Sequence, residues 1–328
     1  MKREPSYINL HKTGELLKRA DEAIKLFENC TACPHNCQKN RTAGERGICA
    51  SGVLPVVSSY TLHHGEEPVI SGVRGAGNIF FGNCNLRCIF CQNYEISQNR
   101  QEEKQNTVTV ERLAGIMLEL QEMGAHNIGW VSPTHFTPVI LKALSIAADG
   151  GLRIPIIYNS NGYDSVEVLK LLDGVVDIYL PDIKYGCDEY GEKYSNAEGY
   201  FTAAKLAVKE MYRQTGSSIE VEEGVITRGL IIRHLVLPNG LAESGEVFKF
   251  IAEELDKEVH ISLMSQYYPV HNAFREILLS RKLREQEYEK ALSLMEKYGL
   301  AKGWIQEMES NENYRPEFNR DRKNPFNN

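Results

Sequence analysis

From residue 77 onward, short β-branched or aromatic runs alternate with longer stretches of helical period, and this alternation limits the fold more than any other feature. The candidate strands cover residues 78–81, 127–131, 154–158, 175–180, 230–237 and 259–264. Helical patterns lie between them at 111–123, 139–148, 165–171, 201–215 and 244–255, and a longer one follows at 285–298. Apolar strands separated by helices predict a parallel sheet buried on both faces. Six such strands are too few for a closed eight-stranded barrel. They suit a partial (β/α)6 TIM-like barrel or a doubly wound sheet. Residues 219–227, with Gly224 between two short β-type runs, read as a surface hairpin.

Each strand ends in a breaker: Ser132-Pro133, Asn159-Ser160-Asn161-Gly162, Pro181-Asp182, Pro238-Asn239-Gly240, and Gln266 ahead of Pro269. Folds of this class place their sites on the loops after the C-terminal ends of parallel strands. The loop after the first strand reads Cys84-Asn85-Leu86-Arg87-Cys88-Ile89-Phe90-Cys91, a C-x3-C-x2-C spacing. Three thiolates on one tight loop can hold three irons of a [4Fe–4S] cluster and leave the fourth open. An open position separates a working metal site from a closed structural one. The simpler reading is zinc, which needs a fourth ligand; Cys187, on the same predicted edge, is a candidate for it.

A second set, Cys30, Cys33, Cys37 and Cys49, follows the spacing C-x2-C-x3-C-x11-C in a loop rich in Gly, Asn and Arg. Four soft ligands without a gap predict a second metal, either structural zinc or an auxiliary iron–sulfur cluster. His35 could substitute for one cysteine, and free thiols are the bland alternative. The expected organisation is an N-terminal helix and Cys-rich segment over 1–60, a core barrel over 61–310 and a polar tail over 311–328. That tail is expected to wrap the surface or to be partly disordered.

The chain has 328 residues, 42% of them hydrophobic, enough to bury a full core. A net charge of −7 offers no basic field for nucleic acid or an anionic membrane. No apolar run approaches the roughly 20 residues of a membrane span. Seven of the eight cysteines fall in the two clusters, which suits a reducing compartment and predicts a cytoplasmic protein.

The cysteine loop, with Phe90 before its third cysteine, resembles the signature of radical S-adenosylmethionine (SAM) enzymes. The flanking runs Gly65-Glu66-Glu67-Pro68, Gly77-Asn78-Ile79-Phe80-Phe81 and Cys91-Gln92-Asn93-Tyr94 are similar to a narrower group, the pyruvate formate-lyase activating enzyme-related proteins. So are Ser132-Pro133-Thr134-His135-Phe136, Tyr179-Leu180-Pro181-Asp182-Ile183-Lys184, Arg233-His234-Leu235, Ser265-Gln266-Tyr267 and Tyr314-Arg315-Pro316-Glu317-Phe318. The likeness runs over residues 28 to 326, in the order expected of the strands.

This resemblance implies the partial barrel and a mechanism. SAM would chelate the open iron, one electron would cleave its sulfonium, and the 5′-deoxyadenosyl radical would abstract hydrogen from a substrate. The cofactor carries the hard chemistry, and the protein binds and orients. By the same resemblance Cys84, Cys88 and Cys91 hold the cluster and Phe90 packs near the adenine. Ser132, Pro133 and Thr134 stand where many relatives carry the Gly-Gly-Glu stretch that binds the SAM amino group. Asp182 and Lys184 match an Asp-x-Lys pair, with Lys184 facing the SAM carboxylate. Asn159 takes the place of an aspartate that helps hold a cation, and Arg233 and Gln266 are SAM or substrate contacts. The reductant implied is a one-electron donor such as flavodoxin or ferredoxin. The substrate is a small molecule or a protein, a glycyl-radical enzyme among the options.

Ordinary readings stand beside these. His63, His64, Glu66 and Glu67 are by default solvated loop residues; otherwise their segment covers the cluster and holds substrate. Asp182 and Lys184 could be a surface ion pair, and Cys187 an ordinary small side chain. A different class of function, a zinc- or cluster-bearing binding or electron-transfer protein that leaves SAM intact, fits the missing Gly-Gly-Glu stretch.

Overall fold

The strand Ala76–Phe81 is buried along its whole length, as a strand covered on both faces must be. It is β2 of nine strands in a computed structural model that describes residues 3–308 and 316–326. The others are β1 (Val57–His63), β3 (Ile128–Val131), β4 (Ile156–Ser160), β5 (Ile178–Pro181), β6 (Glu220–Glu222), β7 (Val225–Leu235), β8 (His260–Met264) and β9 (Gly303–Ile305). The sheet order is β1-β2-β3-β4-β5-β7-β8-β9, with every neighbour parallel from β2 to β9. β1 is antiparallel on one edge and β9 closes the other, so the barrel is partial and open.

All six predicted strands are present, with shifted ends. β4 begins at Ile156 rather than 154 because Pro155 has no N–H for a ladder. β1 and β9 are additions: β1 pairs antiparallel on the sheet edge, and β9 has three residues. The hairpin over 219–227 forms between β6 and β7, yet its second arm continues as the fifth barrel strand, so it is less an insertion than that strand's start.

The helices pack outside. Val110–Glu122 is typical: Thr109 caps it, accepting the Arg112 N–H at 3.1 Å, and Leu113, Ile116, Met117 and Leu120 form its buried stripe. The predicted 244–255 helix runs from Ser244 to Phe250 and ends in a π-helical turn, Ile251–Leu255. Two N-terminal helices, Tyr7–Lys12 and Glu15–Lys25, dock on the barrel. The buried Asp177 carboxylate joins them to it by accepting the N–H groups of Ser6 (2.8 Å) and Ile156 (3.0 Å).

Side chains alternate between two apolar clusters. Ile79, Phe81, Ile156, Tyr158 and Tyr179 face the helices, while Ile157, Ile178, Leu180 and Ile231 join Ile70, Ala76 and Ile226 inside the barrel. Period two then sets what lies above: Asn159 shares a face with Ile157, Asp182 with Leu180, and Arg233 with Ile231.

The polar tail does more than wrap the surface. Over 316–326, Phe318 is buried, with its ring edge 5.4 Å from Phe80, and Phe326 lies 4.0 Å from the His63 ring. Arg322 donates to the fully buried Glu103 carboxylate at 2.8 Å. Tyr314 and Arg315 of the quoted tail motif lie outside the described residues. Among the described residues no helix is long and apolar enough to cross a membrane.

Candidate active site

The loop leaving β2 turns through Asn83, whose φ of 62° is a left-handed value that asparagine tolerates. It brings Cys84, Cys88, Phe90 and Cys91 to the wall of a cavity of about 430 Å³ at the C-terminal end of the sheet, within the range of small-molecule sites. Each sulfur has a hydrogen-bond donor. Asn161 Nδ2 and the Leu86 N–H reach Cys84 Sγ at 3.4 Å each, Ser195 Oγ reaches Cys88 Sγ at 3.0 Å, and Ser97 Oγ lies 3.2 Å from Cys91 Sγ. Donors aimed at sulfur favour the thiolate, the form that binds metal. Without metal, burial pushes all three thiols up, Cys88 to about 11, and a bound ion would displace those protons. The residues therefore fit a three-thiolate iron–sulfur cluster. Cys187, the candidate fourth ligand of a zinc, stands at the N-cap position of the helix Asp188–Ser195 and is not among the residues that line the cavity.

Asp182 and Lys184 also line the cavity, with Lys184 Nζ 2.5 Å from the Asp182 carboxylate. Burial opposes the Lys184 charge, but the Asp182 carboxylate outweighs it and holds the ammonium protonated. The pair is largely buried, 18% and 22% exposed, so it is not the surface ion pair of the simpler reading. Gly162 makes the approach of two loops possible: its φ is +79°, and a Cβ there would sit 2.2 Å from the Asp182 carbonyl oxygen.

Ser132, Asn159, Arg233 and Gln266 stand on the same wall. Ser132 holds a left-handed φ of 55° with its N–H on the Asn159 carbonyl at 2.8 Å. Strain of this kind persists only where the surroundings over-determine it. Thr134 is the exception. It is buried behind the wall and donates to Asp164 Oδ1 at 2.7 Å, as Tyr158 (2.9 Å) does, while Ser160 donates to Oδ2 (2.6 Å). Its neighbour His135 is likewise internal, with Nε2 3.0 Å from the Gly82 carbonyl and burial lowering its pKa to about 3. His135 thus braces the start of the cysteine loop from behind, while Thr134 ties its own loop to the one after β4.

Several cavity residues escape the sequence-based assignment. Glu66 and Glu67, by default solvated, are buried on Arg233: its Nε donates to Glu67 Oε1 at 2.8 Å, and Nη2 contacts both carboxylates. Asn78 Nδ2 donates to Glu66 at 2.6 Å. Burial alone would raise the Glu66 carboxyl, but the Arg233 guanidinium, then His63 and the hydrogen bonds, hold it well below the usual range. Their signal was the Gly65-Glu66-Glu67-Pro68 run, which no periodicity could assign to an inner wall. Trp304, Gln306 and Phe326 also line the cavity. They come from the short β9, the loop after it and the tail, where the sequence carries little pattern.

Against known proteins, the family described as the radical SAM superfamily matches residues 78–219. The chain is 35% identical over 288 residues to the uncharacterized protein MJ0674 of Methanocaldococcus jannaschii, covering 86% of this chain and 78% of that one. It is 26% identical over 272 residues to MJ0808 of the same organism, covering 75% and 73%. Among solved structures it is similar to Streptococcus suis SuiB bound to the precursor peptide SuiA, with a TM-score of 0.45, 10% identity and 69% of this chain covered. It is also similar to HydG, a maturase of the [FeFe]-hydrogenase, with a TM-score of 0.45, 12% identity and 68% covered. The match spans 47% of the SuiB chain and 48% of the HydG chain. The family match starts on β2, the strand that delivers the three thiols, and the chain belongs to the radical SAM superfamily.

Proposed function

We propose that this protein cleaves SAM reductively at a [4Fe–4S] cluster held by Cys84, Cys88 and Cys91, and uses the product radical to take hydrogen from a small charged substrate. One observation carries the reading: three thiols, two buried and one half-buried, each beside a hydrogen-bonding group, share a cavity wall with the Asp182–Lys184 and Arg233–Glu66–Glu67 charge groups. When bound, the cluster supplies the single electron that breaks the carbon–sulfur bond.

The chain's own residues bind, orient and exclude water. Phe90, its ring 5.8 Å from Tyr267 and 6.3 Å from Tyr185, gives an apolar surface for the adenine. Lys184 offers a positive charge to the SAM carboxylate, and Ser132 and Asn159 offer polar groups to its amino end. Glu66 and Arg233 are left for substrate. Pro316 and Phe326 on the cavity wall favour a small substrate over a glycyl-radical enzyme, whose peptide would have to displace them. The four N-terminal thiols hold a second metal, and flavodoxin or ferredoxin supplies the electrons. All eight cysteines are free, which suits a cytoplasmic location.

The test is anaerobic purification followed by incubation with SAM and dithionite. The expected result is brown protein, equimolar 5′-deoxyadenosine and methionine, and a cluster paramagnetic resonance signal that changes when SAM is added. A reduced iron-bearing protein that leaves SAM intact would overturn the reading. In Lys184→Met the KM for SAM should rise about tenfold or more, because a hydrogen bond to a charged group contributes about 1.5–3 kcal/mol. An unchanged KM would remove Lys184 from the SAM site.

A further inference from the structure

Residues 26–56 contain no helix or strand, whereas loops longer than about 12–15 residues without secondary structure are uncommon in compact domains. This one is nonetheless ordered around its cysteines. Cys30, Cys33 and Cys49 are buried and Cys37 is half-buried. The Cys30 N–H donates to the Lys39 carbonyl and the Gln38 N–H to the Cys30 carbonyl, both at 3.1 Å, which sets Cys30 against the turn carrying Cys37. The Asn36 N–H closes that turn on the Cys33 carbonyl at 3.0 Å, and Asn36 and Gln38 take left-handed φ values of 43° and 52°. A Cβ on Gly47 would fall 2.4 Å from Cys37 Sγ, so the glycine lets the Gly47–Ala50 turn, which holds Cys49, close onto Cys37.

Two guanidinium groups serve this set. Arg41, 3.7 Å over the Phe27 ring, has Nη1 4.0 Å from Cys30 Sγ. Arg87 belongs to the other loop, between Cys84 and Cys88, and its Nη2 donates to the carbonyl of Ile48, next to Cys49, at 2.7 Å. Its Nη1 donates to the Ser97 carbonyl at 2.8 Å, and Ser97 Oγ lies 3.2 Å from Cys91 Sγ, so one guanidinium bridges the surroundings of both cysteine sets. A second contact joins them at His35, between Cys33 and Cys37, whose Nε2 lies 2.7 Å from the carbonyl of Asn85, next to Cys84.

A structural zinc would need no such connection. Cationic groups and hydrogen bonds near a cluster set its potential, and they matter where the cluster changes charge.

We propose that Cys30, Cys33, Cys37 and Cys49 hold a second, redox-active iron–sulfur cluster that passes electrons to the cluster at Cys84, Cys88 and Cys91 across the Arg87 and His35 contacts. This rests on the proposed SAM chemistry for its destination. One electron leaves a low-potential one-electron donor, reduces the N-terminal cluster, moves to the second cluster and enters the sulfonium, where the carbon–sulfur bond breaks. No atom moves between the clusters, and one donor is oxidised for each SAM cleaved.

The test uses the full chain, purified anaerobically, as wild type, as the triple variant Cys84→Ser, Cys88→Ser, Cys91→Ser, and as Cys33→Ser with Cys37→Ser. Iron should number about eight in wild type and about four in each variant. The reduced triple variant should show a cluster signal indifferent to SAM. Zinc, or no iron, in the triple variant would overturn the second cluster. For the relay, the ratio of flavodoxin-driven to dithionite-driven SAM cleavage should fall about tenfold or more in the N-terminal variant. Arg87→Gln, which keeps every thiol, should lower that ratio too and covers the case in which the double variant misfolds. An unchanged ratio overturns the relay. Iron in the triple variant together with SAM left intact by wild type would instead sink the SAM reading and leave the N-terminal cluster standing.

Discussion

Cys88→Ala should bring SAM cleavage below detection while leaving the chain folded. Cys88 is the middle thiol of the three proposed ligands, and its sulfur accepts the Ser195 hydroxyl at 3.0 Å in the buried cavity wall. With two thiolates remaining, a four-iron cluster has half of its irons without a protein ligand, and its site-specific iron and SAM-sensitive signal should disappear. The fold should lose little, on the order of 1 kcal/mol, because one buried sulfur is removed without breaking a strand or an ion pair. Cys187→Ala is the matched control. It caps a helix away from the cavity, so iron content and SAM cleavage should match wild type. Persistent cleavage in Cys88→Ala would mean that the ligands are misassigned, and a loss in Cys187→Ala would bring that residue into the site.

The contrast between Cys88 and Glu66 explains how far the sequence could be read. A thiol at C-x3-C-x2-C spacing carries its chemistry locally, and the apolar run before it identifies its strand, so both element and site were legible. The inner wall was legible only where period two runs off an assigned strand, as from Leu180 to Asp182 or from Ile231 to Arg233. Glu66 and Glu67 sit between β1, which pairs antiparallel on the edge, and the four-residue helix Pro68–Ser71, so no periodicity indicates their burial. Their partner is 166 to 167 residues away in sequence, and only the assembled sheet brings it near. Thr134 fails for the opposite reason. Its loop position was right, but the unpredicted buried carboxylate of Asp164 takes its hydroxyl. The tail misleads through composition, because two phenylalanines among many polar residues suffice to anchor it.

The same geometry narrows the substrate. Asp182 and Lys184 form one charged pair on the cavity wall, and Arg233, paired with Asp182 across neighbouring strands, holds Glu66 and Glu67 as a second charged group. Charge that is buried and already paired recognises a ligand by rearranging, and it discriminates strongly because any group left unpaired is costly. The small charged substrate proposed above is consistent with such a wall.

Arg233→Met should cost more stability than any other single change to the cavity wall. Two carboxylates, 9% and 5% exposed, share this one guanidinium, itself 13% exposed. Replacing a buried charge by a side chain of similar bulk leaves its partners uncompensated, at a cost of about 3–5 kcal/mol. At about 2–4 °C per kcal/mol in domains of moderate size, Tm should drop on the order of 10 °C at neutral pH. The deficit should also depend on pH with a defined sign. In wild type the Glu66 carboxyl is held below its ordinary 4.5, so its stabilisation is complete above that pH and fades as the pH falls toward the depressed value. In the variant, burial without Arg233 raises the same carboxyl, and protonation then relieves the unpaired charge. The two melting curves should therefore converge as the pH is lowered from 7 toward 4, measured by thermal unfolding at each pH. A deficit that stays constant over that range would show that Arg233 stabilises the fold through its packing, and that its charge is free for something other than the two glutamates.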